Sequence, residues 1–133
     1  MPERVVIGGA ELWLGDCREV LPLLPAHDLL LTDPPYGFGQ GIVNVGDCPA
    51  YADSYAWNDA PPDEAVFALI REKSKHRVIW GANFFNCFED EGGAIVWLKR
   101  QRMPNFSKAD IAACTHFKKT ETVEIPWTNF NAT

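Results

Sequence analysis

A chain of 133 residues with a formal net charge of −6, 47% hydrophobic and 23% charged, has the composition of one globular domain. That balance excludes a protein holding nucleic acid through bulk positive charge, and no apolar run approaches the roughly 20 residues of a membrane helix. Cys17, Cys48, Cys87 and Cys114 form no CxxC or CxxxH pair, so no metal site or dense disulfide framework is signalled and reduced thiols in the cytoplasm are expected.

In chain order, residues 5–7 and 12–14 are short apolar runs around Gly8-Gly9, the pattern of a small hairpin. Residues 17–24 have helical spacing, with Val20, Leu21 and Leu24 on one side, Asp16 as N-cap and Pro25 as the stop. Residues 29–32 form a continuous apolar run, expected to be a central parallel strand buried on both faces. Residues 37–58, rich in Gly, Asp and aromatic residues, have no period and are expected to form one long loop.

Pro61-Pro62-Asp63-Glu64 opens a helix whose first turn is acidic and whose far end carries Arg71, Lys73 and Lys75, matching the helix dipole. Val66, Leu69 and Ile70 share its apolar face. Residues 77–80 are the next strand, ended by Gly81, and an aromatic turn through Asn83-Phe84-Phe85 leads to a strand at 94–98. Residues 111–115 and 122–125 are weaker strands, expected to pair antiparallel at the sheet edge. Trp80 and Trp97, both in strands, are expected to pack in the core. Alternation of strand and helix predicts an α/β domain with a largely parallel sheet. A single domain spanning 1–133 is expected.

Charge is unevenly spread. From residue 99 to 119, six lysines and arginines face only Asp110, a local +5 in an acidic chain. Such a stretch suits either phosphate contacts or a solvated basic face.

The chemistry gathers at Asp33-Pro34-Pro35-Tyr36, immediately after the most apolar run. Ligands in open parallel sheets bind outside the carboxyl ends of strands. An exocyclic base amine is a poor nucleophile because its lone pair is delocalised into the ring. A carboxylate and a carbonyl accepting its two N–H groups would draw the nitrogen toward tetrahedral geometry and stabilise the charge developing on attack. Asp33 supplies the carboxylate and Pro34 the carbonyl. The prolines at 34 and 35 fix their own φ and limit reorganisation. Tyr36 offers a face on which a flipped base stacks, worth roughly 1–3 kcal/mol.

These residues resemble the catalytic loop of phage-type amino-methylating DNA methyltransferases, which act on adenine N6 or cytosine N4. Further likenesses follow in family order. Gly15-Asp16-Cys17-Arg18-Glu19-Val20-Leu21 resembles the segment contacting the adenosine of S-adenosylmethionine. Val78-Ile79-Trp80-Gly81-Ala82-Asn83-Phe84-Phe85 resembles the strand after the catalytic loop, and residues 95–99 with 105–110 resemble a later strand and loop.

The resemblance implies a partial Rossmann-like methyltransferase fold, with a mostly parallel sheet and an antiparallel edge. It implies S-adenosylmethionine as cofactor, contacted by Asp16, Cys17 and Asp33, and double-stranded DNA as partner. Asp33, Pro34, Pro35 and Tyr36 hold the target base. Asn83, Lys99, Arg100, Arg102 and Lys108 are candidate nucleic-acid contacts, as are Tyr51, Tyr55 and Trp57. Adenine is favoured over cytosine.

The family's Phe-x-Gly-x-Gly cofactor turn is not found where its order predicts, C-terminal to these motifs, and Gly37-Phe38-Gly39-Gln40-Gly41 has the wrong context. The expectation is therefore a fragment or split half, nearly inactive alone, that associates with a complementing half or with itself. The alternative is an inactive remnant that binds nucleic acid or a partner.

Overall fold

The computed structural model describes residues 1–38, 58–90, 92–100 and 107–124. Tyr51, Tyr55, Trp57, Arg102 and most of the expected 37–58 loop lie outside the described residues.

The chain opens with the expected hairpin. β1 (Glu3–Ile7) pairs antiparallel with β2 (Ala10–Leu14), with Ile7 opposite Ala10 across Gly8-Gly9. Gly8 has φ of 61°, as the first position of a type II′ turn requires. Residues opposite each other share a face, so Val5, Ile7, Leu12 and Leu14 lie together on one side, and all are exposed. Arg4, Glu11 and Trp13 occupy the other side, where Arg4 donates to Glu11 at 2.7 Å.

The expected helix at 17–24 is shorter. α1 (Cys17–Val20) gives way to a 3-10 turn, Leu21–Leu23. Pro22 lies in this stretch and has no N–H to continue the α-helical ladder.

β3 (His27–Thr32), α2 (Glu64–Glu72) and β4 (Ser74–Trp80) form a parallel strand pair joined through a helix, with Leu31 opposite Val78. Asp63 caps α2, its carboxylate accepting from the Val66 N–H at 3.1 Å. Lys73 at the other end reaches the carbonyls of Pro22 (3.2 Å) and Leu24 (3.0 Å), tying the 3-10 segment to the helix. Val66, Phe67 and Ile70 of α2 meet Ile79, Ala82, Phe85, Cys87 and Ala113 in the core, with Leu21, Leu30 and Tyr36 packed against it.

Three more strands complete the sheet: β5 (Gly93–Leu98), β6 (Ala109–Cys114) and β7 (Thr120–Glu124). Its order is β3-β4-β6-β5-β7. β6 runs antiparallel to both neighbours, whereas β7 is parallel to β5.

This topology corrects the expected Rossmann-like α/β architecture. The domain has a mixed five-stranded sheet, a separate two-stranded sheet and, among the described residues, α-helices of only 4 and 9 residues. Residues 99–108 between β5 and β6 are too few for a helical crossover, which takes a dozen residues or more, so β6 returns antiparallel. Nor do the last two strands pair with each other at an edge: both flank β5, and the antiparallel strand is interior.

The apolar 29–32 run is also displaced from its expected place. β3 is an edge strand of this sheet, and Leu29 and Leu31 are 54% and 65% exposed, while Leu30 faces the core. Trp80 and Trp97 are half-buried and meet edge-on at 6.5 Å, outside the α2 core cluster.

Candidate functional site

β3, β4 and β5 run in the same direction, so Asp33, Gly81 and Lys99 all emerge at one end of the sheet. Lys108 lies at that end too, immediately before β6, and its carbonyl accepts from the Lys99 N–H at 2.9 Å. The turn at 81–86 that carries Asn83 follows β4 there. Chain reversals have thus brought together residues that the sequence separates by up to 75 positions.

Asp33 and Tyr36 are joined directly. The Tyr36 hydroxyl donates to Asp33 Oδ1 at 2.6 Å, while Pro34 between them is buried. Burial and the bond to Asp33 push the Tyr36 phenol well above its ordinary range. The exposed Asp33 carboxylate is therefore tied by one oxygen to the side chain three residues on.

Tyr36 also belongs to an aromatic group. Its ring stacks on Phe84 with centroids 4.8 Å apart and 28° between planes. Phe38 meets it edge-on at 5.6 Å and Phe85 at 5.9 Å. Phe38 and Phe84 are partly exposed, so the group is open to solvent on one side.

Two glycines permit this arrangement. Gly81 has φ of 73°, and any Cβ there would overlap the Tyr36 ring. Gly37 has φ of 76°, and a Cβ would strike Pro61. The side-chain carbonyl of Asn58 accepts from the N–H groups of Tyr36 (2.8 Å) and Gly37 (3.2 Å), closing the catalytic-loop candidate against the start of the next helical unit.

The cofactor candidates occupy a helix terminus. Asp16 caps α1, accepting from the Arg18 N–H at 2.9 Å and from its guanidinium at 2.5 Å. These bonds lower its carboxyl to about 2. Arg18 is within electrostatic reach of Asp63, the α2 cap, and Gly37 contacts Pro61 just before that cap. Cys17 is exposed beside Asp16. No hydrogen bond or ion pair links Asp16 or Cys17 to Asp33 among the described residues.

The basic candidates are less available than their charge suggests. Lys99 pairs with Asp110 and lies over the Trp97 ring at 5.2 Å. Arg100 pairs with Glu124 at 2.5 Å. Lys108 has no ion pair among the described residues, and the exposed Asn83 side chain makes no hydrogen bond there. Lys118 and Lys119, part of the same basic stretch in sequence, lie at the opposite end of the sheet.

Sequence reasoning missed three contributors: Asn58, Phe84 as the stacking partner of Tyr36, and Gly81 as its seat. A glycine directly after a strand was a visible signal for the last. Nothing local marks Asn58 as the acceptor for a turn 21 and 22 residues away.

No protein-family model matches the chain, and no curated protein matches it. Among the described residues, no group of three or more His, Cys, Asp or Glu side chains could hold a metal ion. No described helix is long and apolar enough to cross a membrane.

Proposed function

We propose that this chain carries the base-holding part of an S-adenosylmethionine-dependent DNA methyltransferase site, acting on an exocyclic amine, adenine N6 ahead of cytosine N4. The observation that carries the reading is the convergence of Asp33 and Tyr36 at the end of β3, with an open aromatic group around the tyrosine. Asp33 and the Pro34 carbonyl would accept the two amine N–H groups, stabilising the positive charge that develops on nitrogen. Tyr36, Phe38 and Phe84 would take the plane of an unstacked base, which explains aromatic surface kept partly in water. Base entry requires the Tyr36–Asp33 hydrogen bond to open or to be shared.

S-adenosylmethionine would supply an electrophilic methyl group. The residue types fit its adenosine end: Asp16 is an exposed carboxylate able to accept from hydroxyl or amine donors, and Cys17 adjoins it. Arg18 would have to share that carboxylate, since it already engages both oxygens. No described residues form a glycine-rich turn that opens a helix for the methionine end. The chain alone should therefore hold a base better than it transfers a methyl group.

Double-stranded DNA is the proposed partner, with Lys108 the basic candidate closest to free and Lys99, Arg100 and Asn83 at the same end. Association of the chain with a second copy, through the exposed β3 face, also belongs to this reading.

Binding of an oligonucleotide carrying 2-aminopurine tests it. Stacking on Tyr36 should quench the probe, and Asp33→Ala should weaken binding by roughly tenfold, as loss of charge-assisted hydrogen bonds does. Unchanged binding by Asp33→Ala would remove Asp33 from the role. In assays with tritiated S-adenosylmethionine, any label reaching DNA should vanish with the same substitution.

A further inference from the structure

At the end of the sheet opposite Asp33, the beginning of β4, the residues Glu89, Asp90 and Gly92, and the residues after β6 line an open cleft of about 440 Å³. One wall is held rigidly. The Arg77 guanidinium grips Glu89 through two bonds of 2.9 and 2.8 Å and donates to the Ser74 carbonyl at 2.9 Å. The Arg77 N–H donates to Thr115 Oγ1 (2.9 Å), and the Thr115 N–H returns a bond to the Arg77 carbonyl (3.0 Å).

Flat rings line the same cleft. His76 and His116 meet edge-on at 4.8 Å, and His116 meets Phe117 at 6.4 Å. Lys75 and Lys118 complete the cationic lining and Asp90 stands against them. Nδ1 of His76 is buried and has no hydrogen-bond partner among the described residues.

We propose that this cleft is a second binding site, for a phosphate monoester or free phosphate. A phosphate offers several acceptor oxygens and up to two negative charges to a lining of ammonium and imidazole donors. The cleft has the volume of a small-ligand pocket, whereas a nucleic-acid backbone calls for an extended basic track. The His116–Phe117 rings provide a wall for the base of a nucleoside monophosphate. This site does not depend on the methyltransferase reading, because it uses none of the same residues.

Titration of the full chain at fixed pH and ionic strength, followed by NMR of the His76 and His116 rings, tests the proposal. Inorganic phosphate and adenosine 5′-monophosphate are the two probes. Saturable shifts of both rings are expected. Tighter binding of the nucleotide assigns a role to the ring wall; equal binding makes the phosphate group the whole ligand. Lys75→Glu should weaken binding by roughly tenfold and Asp90→Asn should tighten it, while Lys108→Glu at the other end should leave it unchanged. The proposal is overturned if neither probe gives saturable shifts at about 10 mM, the weak end of specific affinity. Equal losses in Lys75→Glu and Lys108→Glu would overturn it too, since nonspecific charge would then explain the binding.

Discussion

The Tyr36 ring lies against Gly81 so closely that even one methyl group at position 81 would occupy the same space. Tyr36 follows β3 and Gly81 follows β4, so this contact fixes the spacing of two loops at the carboxyl ends of adjacent parallel strands. Gly81→Ala adds both a clash and a side chain at φ of 73°. We expect a stability loss on the order of 3 kcal/mol, read as a fall in Tm. An unchanged Tm would mean that the ring moves aside without cost.

Asn58 contributes two hydrogen bonds to the turn that carries Tyr36. Asn58→Ala should cost about 1–3 kcal/mol, at about 0.5–1.5 for each bond. Exchange of the Tyr36 and Gly37 amide protons should accelerate more than that of the β4 amides. Asn58→Asp keeps an acceptor and should restore protection of both protons. Equal acceleration across β4 would instead indicate general destabilisation.

The Tyr36 phenol is raised by burial and by its bond to Asp33. Protonated Tyr36 is the form that the fold favours, so its contribution is complete below the ordinary phenol value of about 10. It is lost as pH rises through the higher folded value. An absorbance titration at 295 nm should show one phenol ionising late, and Tyr36→Phe should remove that step. Three phenols ionising together near the ordinary value would contradict the pairing.

Leu29 and Leu31 project from an edge strand into solvent, and the hairpin exposes Val5, Ile7, Leu12 and Leu14. Exposed edges and apolar faces of this kind favour pairing with another chain. Sedimentation velocity should show concentration-dependent association, reduced by Leu31→Lys. A single monomeric species across the concentration range would rule this out.

The strands were largely legible because their apolar runs are short and bounded by Gly, Pro and charged residues. Their positions in the sheet were not. The run of leucines at 29–31 reads as a central strand, yet β3 lies at an edge. The central strand is β6, whose Ala112, Ala113 and Cys114 are buried, Ala112 completely. Small residues give little hydrophobic signal, but they lie directly opposite the larger Val78, Ile79 and Trp80 of the neighbouring strand. Within the site, Asp33 and Tyr36 were legible because they are three residues apart. The Asn58 and Gly81 contacts arise only when the chain doubles back, and no local pattern encodes them.

β6 has a consequence for how the sheet is assembled. It joins two parallel pairs, β3-β4 and β5-β7, that share no direct ladder. Until β6 enters, the two pairs are separate pieces, and the loops that β3 and β5 present at one end have no common reference. Among the described strands only β6 bridges them, reaching β5 across the short 99–108 link and its β4 partners across more than 30 residues of chain. Substitutions that enlarge Ala112 or Ala113 would act less on either pair than on the moment at which they become one sheet.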